Sequence, residues 1–248
     1  MKFRTAVSSL DEALKQLANH PRMTVSPMDY RSETGQPTVC EIILDISQST
    51  EEFHAELRDG FNAIIMPSIR EVSQRYKGAI RLHCLLFSRG IIPAWYGFKT
   101  LDELDQDPLK QSLFGRRSLG GQTALYGAMR TGIIWTVAAM EHMRNAGRGE
   151  SPKGKIILLT GGANNAYPKK EASVAKTFNS IGKINQRNLQ LMIGFFNTDN
   201  GQTAEALEIM AEATGFKNFE LFEFAKDASL EERSISFRRQ MRNFCRIH

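Results

Sequence analysis

A doubly wound α/β domain with a mostly parallel six-stranded sheet is what this sequence predicts, with helices on both faces and one short antiparallel strand at an edge. Three observations carry that expectation. Short apolar runs alternate with longer segments of helical period, the pattern of right-handed βαβ units. Two of the runs are separated only by Arg89 and Gly90, too little chain for a crossover helix, so they must pair as an antiparallel hairpin. The chain has 248 residues, 42% of them hydrophobic and 24% charged, enough for one full α/β domain with short extensions.

The strands are expected at Val39–Ile46, Ala79–Phe87, Ile91–Phe98, Lys155–Leu159, Leu189–Phe196 and Phe219–Phe224. Between them, Thr50–Tyr76 places Phe53, Leu57, Phe61, Ile65, Ile69, Val72 and Tyr76 at helical spacing, with Pro67 expected to kink it. Thr123–Arg144 is apolar on most faces and therefore predicts a largely buried helix. Glu171–Ile184 and Thr203–Thr214 complete the helices, the latter closed by Gly215.

Three segments are expected along the chain. Residues 1–38 hold a short helix and a linker or strap: Ser9 and Glu12 have capping-box spacing, and Leu10, Leu14 and Leu17 share one face. Residues 39–225 form the α/β domain. Residues 226–248 form a basic amphipathic helix packed on it, with Leu230, Phe237, Met241 and Phe244 on the apolar side. The net charge of +5 comes largely from Arg233, Arg238, Arg239, Arg242 and Arg246 of that helix. Their interleaving with apolar residues favours a solvated helix face over a nucleic-acid surface, which stays as the alternative.

Several function classes lack their signatures. The sequence contains no phosphate-binding G-x-x-x-x-G-K-[ST], no G-x-S-x-G nucleophile elbow and no H-E-x-x-H. The histidines are scattered, and His83 and His142 read as packing or surface residues, so an enzyme is not expected. Cys40, Cys84 and Cys245 have no C-x-x-C spacing, no apolar run reaches the roughly 18 residues of a membrane span, and the Met1 end lacks a signal-peptide core. The expectation is a cytoplasmic protein without disulfides or membrane contact.

In open α/β sheets ligands bind beyond the carboxyl ends of the strands. The first strand ends in Asp45-Ile46-Ser47-Gln48-Ser49, the loop before the long buried helix reads Gly120-Gly121-Gln122-Thr123, and the fourth strand ends in Thr160-Gly161-Gly162. Asp45-x-Ser47-x-Ser49 resembles the D-x-S-x-S signature of von Willebrand factor type A (VWA) domains, and Thr123 resembles that family's separate threonine. Gly194–Gly215 is also similar to the family's strand, polar loop and helix ending in A-T-G. The resemblance covers about three-quarters of the chain. It implies a Rossmann-like fold, a metal-ion-dependent adhesion site formed by Asp45, Ser47, Ser49 and Thr123, and an intracellular protein-binding adaptor or scaffold.

One position departs from the family. The fourth strand of that family ends in T-D-G, whereas Gly161 stands at the aspartate's place here. Mg²⁺ needs oxygen ligands in near-octahedral geometry, and one carboxylate with neutral hydroxyls holds it poorly. A degenerate site is therefore expected, binding Mg²⁺ weakly or not at all and requiring no other cofactor. Arg116, Arg117, Gln122, Asn164 and Asn165 surround the same rim and are the candidate contacts to a protein partner presenting an acidic group.

Overall fold

β1 (Thr38–Asp45) is buried at every position, because parallel strands flank it on both sides: β2 (Ile80–Phe87) and β4 (Lys153–Thr160). A strand covered on both faces reads as a continuous apolar run rather than an alternation, which is how VCEIILDI stands out in the sequence. In the computed structural model the sheet runs in the order β3-β2-β1-β4-β5-β6, with β3 at Ile91–Pro93, β5 at Leu189–Phe195 and β6 at Phe219–Glu223. All pairings are parallel except β2 with β3, so the sheet is mixed. The structure describes residues 9–19, 37–76, 80–114, 123–146, 152–161, 189–195 and 219–223, together with 229, 231, 232, 235 and 239.

β3 is shorter than the expected run Ile91–Phe98. Pro93 has no amide proton for the ladder, and Gly97 adopts φ 77°, turning the chain as side-chain-bearing residues rarely do. The segment still covers the edge of β2. Ala94 N donates to Cys84 O at 2.8 Å, and Lys99 forms an isolated antiparallel bridge with Leu82 through bonds of 2.8 and 2.9 Å.

Two apolar layers enclose the sheet. On one face Val39, Ile43, Leu85, Phe87, Ile156 and Leu158 pack against α5 (Leu125–Ala146), which follows the short α4 (Gln111–Phe114) in the chain and buries Met129, Ile133 and Trp135. α1 (Leu10–Asn19) lies on α5 through Leu10, Ala13 and Leu14. Its capping box forms as expected on the helix side, with Glu12 N donating to Ser9 Oγ at 3.2 Å.

The other face carries Cys40, Ile42, Leu44, Leu82, Cys84 and Leu86 beneath Phe53, Leu57, Phe61, Ile65 and Ile69. The segment expected as one kinked helix is a composite: a 3₁₀ turn (Gln48–Phe53), α2 (His54–Gly60), a π-helical turn (Phe61–Ile65) and α3 (Met66–Tyr76). Its buried residues recur every fourth position. Four residues overshoot an α-helical turn by about 40°, so a pure α-helix would carry this row off the sheet. The wider π turn returns it, and it also stands just before Pro67, which supplies no amide proton to the preceding turn.

The expected helices at 171–184 and 203–214 lie outside the described residues, as do most of 226–248. Within that last segment Ser229 caps a helical turn, its hydroxyl and amide meeting the Glu232 carboxylate at 2.9 and 2.8 Å, and Ile235 and Arg239 are exposed.

Close packing of β4 sets the first testable consequence. A β-carbon on Gly154 would collide with Leu189, stand 2.6 Å from Met140 Sδ and reach 3.0 Å from Thr136 Cγ2. Gly154→Ala should destabilise the domain by about 1–3 kcal/mol. Gly132→Ala on α5 also crowds Ile43 and Glu41, but alanine regains about 1 kcal/mol of helix propensity and should cost less. Urea unfolding midpoints of the two variants test that order.

Candidate functional site

The carboxyl end of β1 places Asp45 at the centre of a buried polar cluster. Asp45 follows the side-chain alternation of Val39 and Ile43, so its carboxylate points toward the face that carries α5. It is fully buried, and burial alone pushes its carboxyl above the usual range. Hydrogen bonds from the Ser47 hydroxyl and amide, the Thr160 hydroxyl and the Gly161 amide pull it back in part. Ser47 N donates to Oδ1 at 2.9 Å, Thr160 Oγ1 to Oδ2 at 2.7 Å, and Gly161 N to Oδ2 at 3.4 Å. A carboxylate offers about four lone-pair sites. Groups from the β1 loop and from the end of β4 therefore take up its acceptor capacity.

The turn after β1 is closed by Thr50. Its hydroxyl lies 3.1 Å from Asp45 O and 2.9 Å from Ser47 O, and His54 Nε2 approaches it at 3.2 Å. The two carbonyls only accept, so the Thr50 proton goes to them and His54 Nε2 is the donor to Thr50 Oγ1. Burial holds the His54 imidazole below its ordinary value, opposed by its bond to the Ser47 backbone and by the charges of Asp45 and Glu51.

Backbone bonds bring the neighbouring strand ends to the same rim. Ile46 N donates to Phe87 O at 2.8 Å, joining the ends of β1 and β2, and Ala124 N donates to Ser88 O at 2.7 Å. That second bond seats Thr123, which is buried, at the start of α5 beside the end of β2. The segment ending at Phe114 is anchored on the helices that cover the other face of the sheet. Asn62 exchanges hydrogen bonds with Leu109 at 3.0 and 3.2 Å, Arg70 reaches the carbonyls of Leu104 and Asp105, and Phe114 packs on the His54 ring.

Among the sequence-derived candidates, Asp45 and Ser47 are in direct contact, Gly161 touches Asp45, and Thr123 sits at the same end of the sheet. The backbone of Ser49 lies in the 3₁₀ turn. Arg116, Arg117, Gln122, Asn164 and Asn165 fall outside the described residues. Sequence reasoning missed Thr160 and Thr50 as the hydroxyls that hold Asp45 and its turn, and His54 as their neighbour. A β-branched hydroxyl at a strand end next to a buried carboxylate was the available signal. Among the described residues no group of three or more His, Cys, Asp or Glu could hold a metal ion.

No family model matches the chain, and no curated protein does. Solved structures share its fold. The PilB minor pilin from Streptococcus sanguinis superposes with a TM-score of 0.53 at 10% identity, over 85% of this chain and 62% of that one. The pilus adhesin SpaC from Lactobacillus rhamnosus GG, in its open conformation, gives 0.54 at 13% identity, over 86% and 30%. Proximal thread matrix protein 1 from the mussel byssus gives 0.54 at 14% identity, over 86% and 49%. This chain thus spans less than two thirds of each of those chains. The likeness is one of fold alone, a mixed α/β sheet with helices.

The Thr160 bond to Asp45 is testable by itself. Thr160→Val keeps shape but leaves one carboxylate oxygen short of a donor, and should cost about 1–3 kcal/mol in chemical denaturation. Thr160→Ser keeps the donor and should recover most of that loss.

Proposed function

We propose that this chain is a protein-binding domain of the VWA type, acting as an adaptor or scaffold rather than an enzyme, whose rim engages an acidic group of its partner with weak or no dependence on Mg²⁺. The observation that carries this reading is the state of Asp45. Its carboxylate is already matched by the Ser47, Thr160 and Gly161 donors, and Gly161 stands where the resembling family has its second carboxylate. Neutral hydroxyls of Ser47, Ser49 and Thr123 would be the remaining oxygens for a cation, and Mg²⁺ binds such a set poorly. A carboxylate saturated by donors is also a poor general base, which fits a non-catalytic role.

A rim without a strongly held cation needs positive charge of its own to attract an acidic partner. Arg116 and Arg117 in the Gly115–Gly121 loop supply it in this reading, with Gln122, Asn164 and Asn165 as further polar contacts. Pilus adhesin and pilin proteins among the structural neighbours fit a protein-interaction role.

A Mg²⁺ titration of thermal stability tests the metal side. A ligand present at a hundred times its Kd stabilises the native state by about 2.7 kcal/mol, so the wild type should show no shift approaching that at millimolar Mg²⁺. Gly161→Asp should lower stability without metal, because a second carboxylate would crowd Asp45, and should regain it when Mg²⁺ is added. A strong chelator-reversible shift in the wild type would overturn the reading.

The partner side is tested by charge reversal. Arg116→Glu with Arg117→Glu should abolish capture of the partner from the native host while the melting temperature stays nearly unchanged. Arg238→Glu with Arg239→Glu should leave capture intact. The opposite pattern would move the interface to the tail.

A further inference from the structure

Residues 101–114 cross the composite helix on the sheet face opposite α5. Leu101, Leu109 and Phe114 are buried there in the apolar layer that contains Phe53, Leu57 and Phe61. Apolar contacts alone would let such a segment slide, because they have no direction. Directed bonds to its backbone fix it. Asn62 Nδ2 donates to Leu109 O at 3.0 Å, and Leu109 N donates to Asn62 Oδ1 at 3.2 Å. Arg70 Nη2 donates to the carbonyls of Leu104 and Asp105 at 3.3 and 3.1 Å. These bonds set the register of the segment, and the register decides where Phe114 lands.

Asn62 and Arg70 stand eight residues apart on the composite helix. In an unbroken α-helix of 3.6 residues per turn they would diverge by about 80° around the axis. The π turn Phe61–Ile65, which contains Asn62, takes up that surplus and lets both side chains reach the same segment.

The segment ends against the rim. α4 closes with a bond from Leu113 N to Lys110 O at 3.0 Å and carries Phe114 onto the His54 ring, with centroids 5.6 Å apart and the planes tilted by 57°. His54 Nε2 donates to Thr50 Oγ1 at 3.2 Å. The Thr50 hydroxyl in turn reaches Asp45 O and Ser47 O at 3.1 and 2.9 Å, and its amide donates to Ser47 O at 3.0 Å. A ring N–H serves an acceptor only while the ring keeps its plane, and Phe114 packed against His54 restricts the turning of that ring. Contacts therefore run without a break from Asn62 through Leu109, α4, Phe114 and His54 to the turn that holds Ser47.

We propose that Asn62, Arg70 and Phe114 are positioning residues of the rim. They hold residues 101–114 so that His54 keeps Thr50, and with it the Asp45-Ile46-Ser47 turn, in the shape that a partner meets. This role rests on the reading of that rim as the binding surface.

A double-mutant cycle between Asn62→Ala and Thr50→Val, read by urea unfolding of the full chain, tests the link. Three contacts separate the two side chains, so independent packing roles would give costs that multiply to within about twofold in the folding constant. Positioning makes them interdependent: Thr50→Val should cost at least about threefold less in the Asn62→Ala background than in wild type. Native-state ¹⁵N NMR supplies a readout that general stability does not move. Asn62→Ala and Phe114→Leu, which fills space without a ring, should both displace the Ser47 and Thr50 amide signals and leave that of Ala13 in α1 in place. Costs that multiply independently, or Ser47 and Thr50 signals at their wild-type positions, overturn the proposal. If Asn62→Ala does not fold, Arg70→Gln takes its place in both measurements. The Arg116→Glu/Arg117→Glu capture experiment addresses the binding reading separately. Coupling in the cycle with capture unaffected by that charge reversal would keep the positioning link and remove the rim from partner binding.

Discussion

The rim of this domain depends on one buried carboxylate. Asp45 is ionisable, has no exposure, and sits at the end of the most central strand with a known buried environment on both sides. Burying such a group without donors would cost several kcal/mol, so the surrounding chain is organised to supply them. The donors come from two places distant in sequence, the turn at Ser47 and the end of β4 at Thr160 and Gly161. Each bond satisfies the carboxylate and also fixes the segment that provides it. The shape of the rim and the electrostatic state of Asp45 are consequently a single property.

The sheet explains why that carboxylate stands where it does. Parallel pairing on both sides of β1 buries every residue of the strand and sends the chain out at one end. The turn after β1, the start of α5 and the end of β4 meet there because right-handed crossovers return each strand to the same direction. The same sheet is shared with pilin, adhesin and byssal proteins at 10–14% identity, a level at which architecture persists while site residues are free to differ. Function on such a fold is decided by the few side chains at the rim.

Glu41 and Asp45 lie four residues apart on the same side of β1, and the structure accommodates the two carboxyl groups differently. Asp45 is held by hydroxyl and amide donors that do not titrate at ordinary pH. Glu41 is paired with the His83 imidazole and is covered by a helix at its glycine. One arrangement fixes a loop geometry, and the other joins β1 to β2 beneath α5. Both positions fall on the face covered by α5.

Much of this was legible in the sequence. The apolar runs, the two-residue connection at Arg89-Gly90 and the Ser9–Glu12 capping box each encode local structure through period, chain length or hydrogen-bonding reach, and each needs no distant partner. The Asp45-x-Ser47 turn was likewise visible, because its partners lie two residues apart. Other features required the folded chain. Nothing in the local sequence of Ile91–Phe98 shows that Lys99 will return to Leu82, and nothing around Thr50–Tyr76 shows that a π turn will keep Phe53, Leu57, Phe61, Ile65 and Ile69 on one face. The sequence by itself determined which segments become strands and which strand end carries the hydroxyls and the carboxylate. Only the tertiary structure decided that Thr160, 115 residues from Asp45, is its closest donor, and that His83, 42 residues from Glu41, is its partner. The physical reason is that strand register, a property of the whole sheet, sets which side chains from remote segments share a buried space.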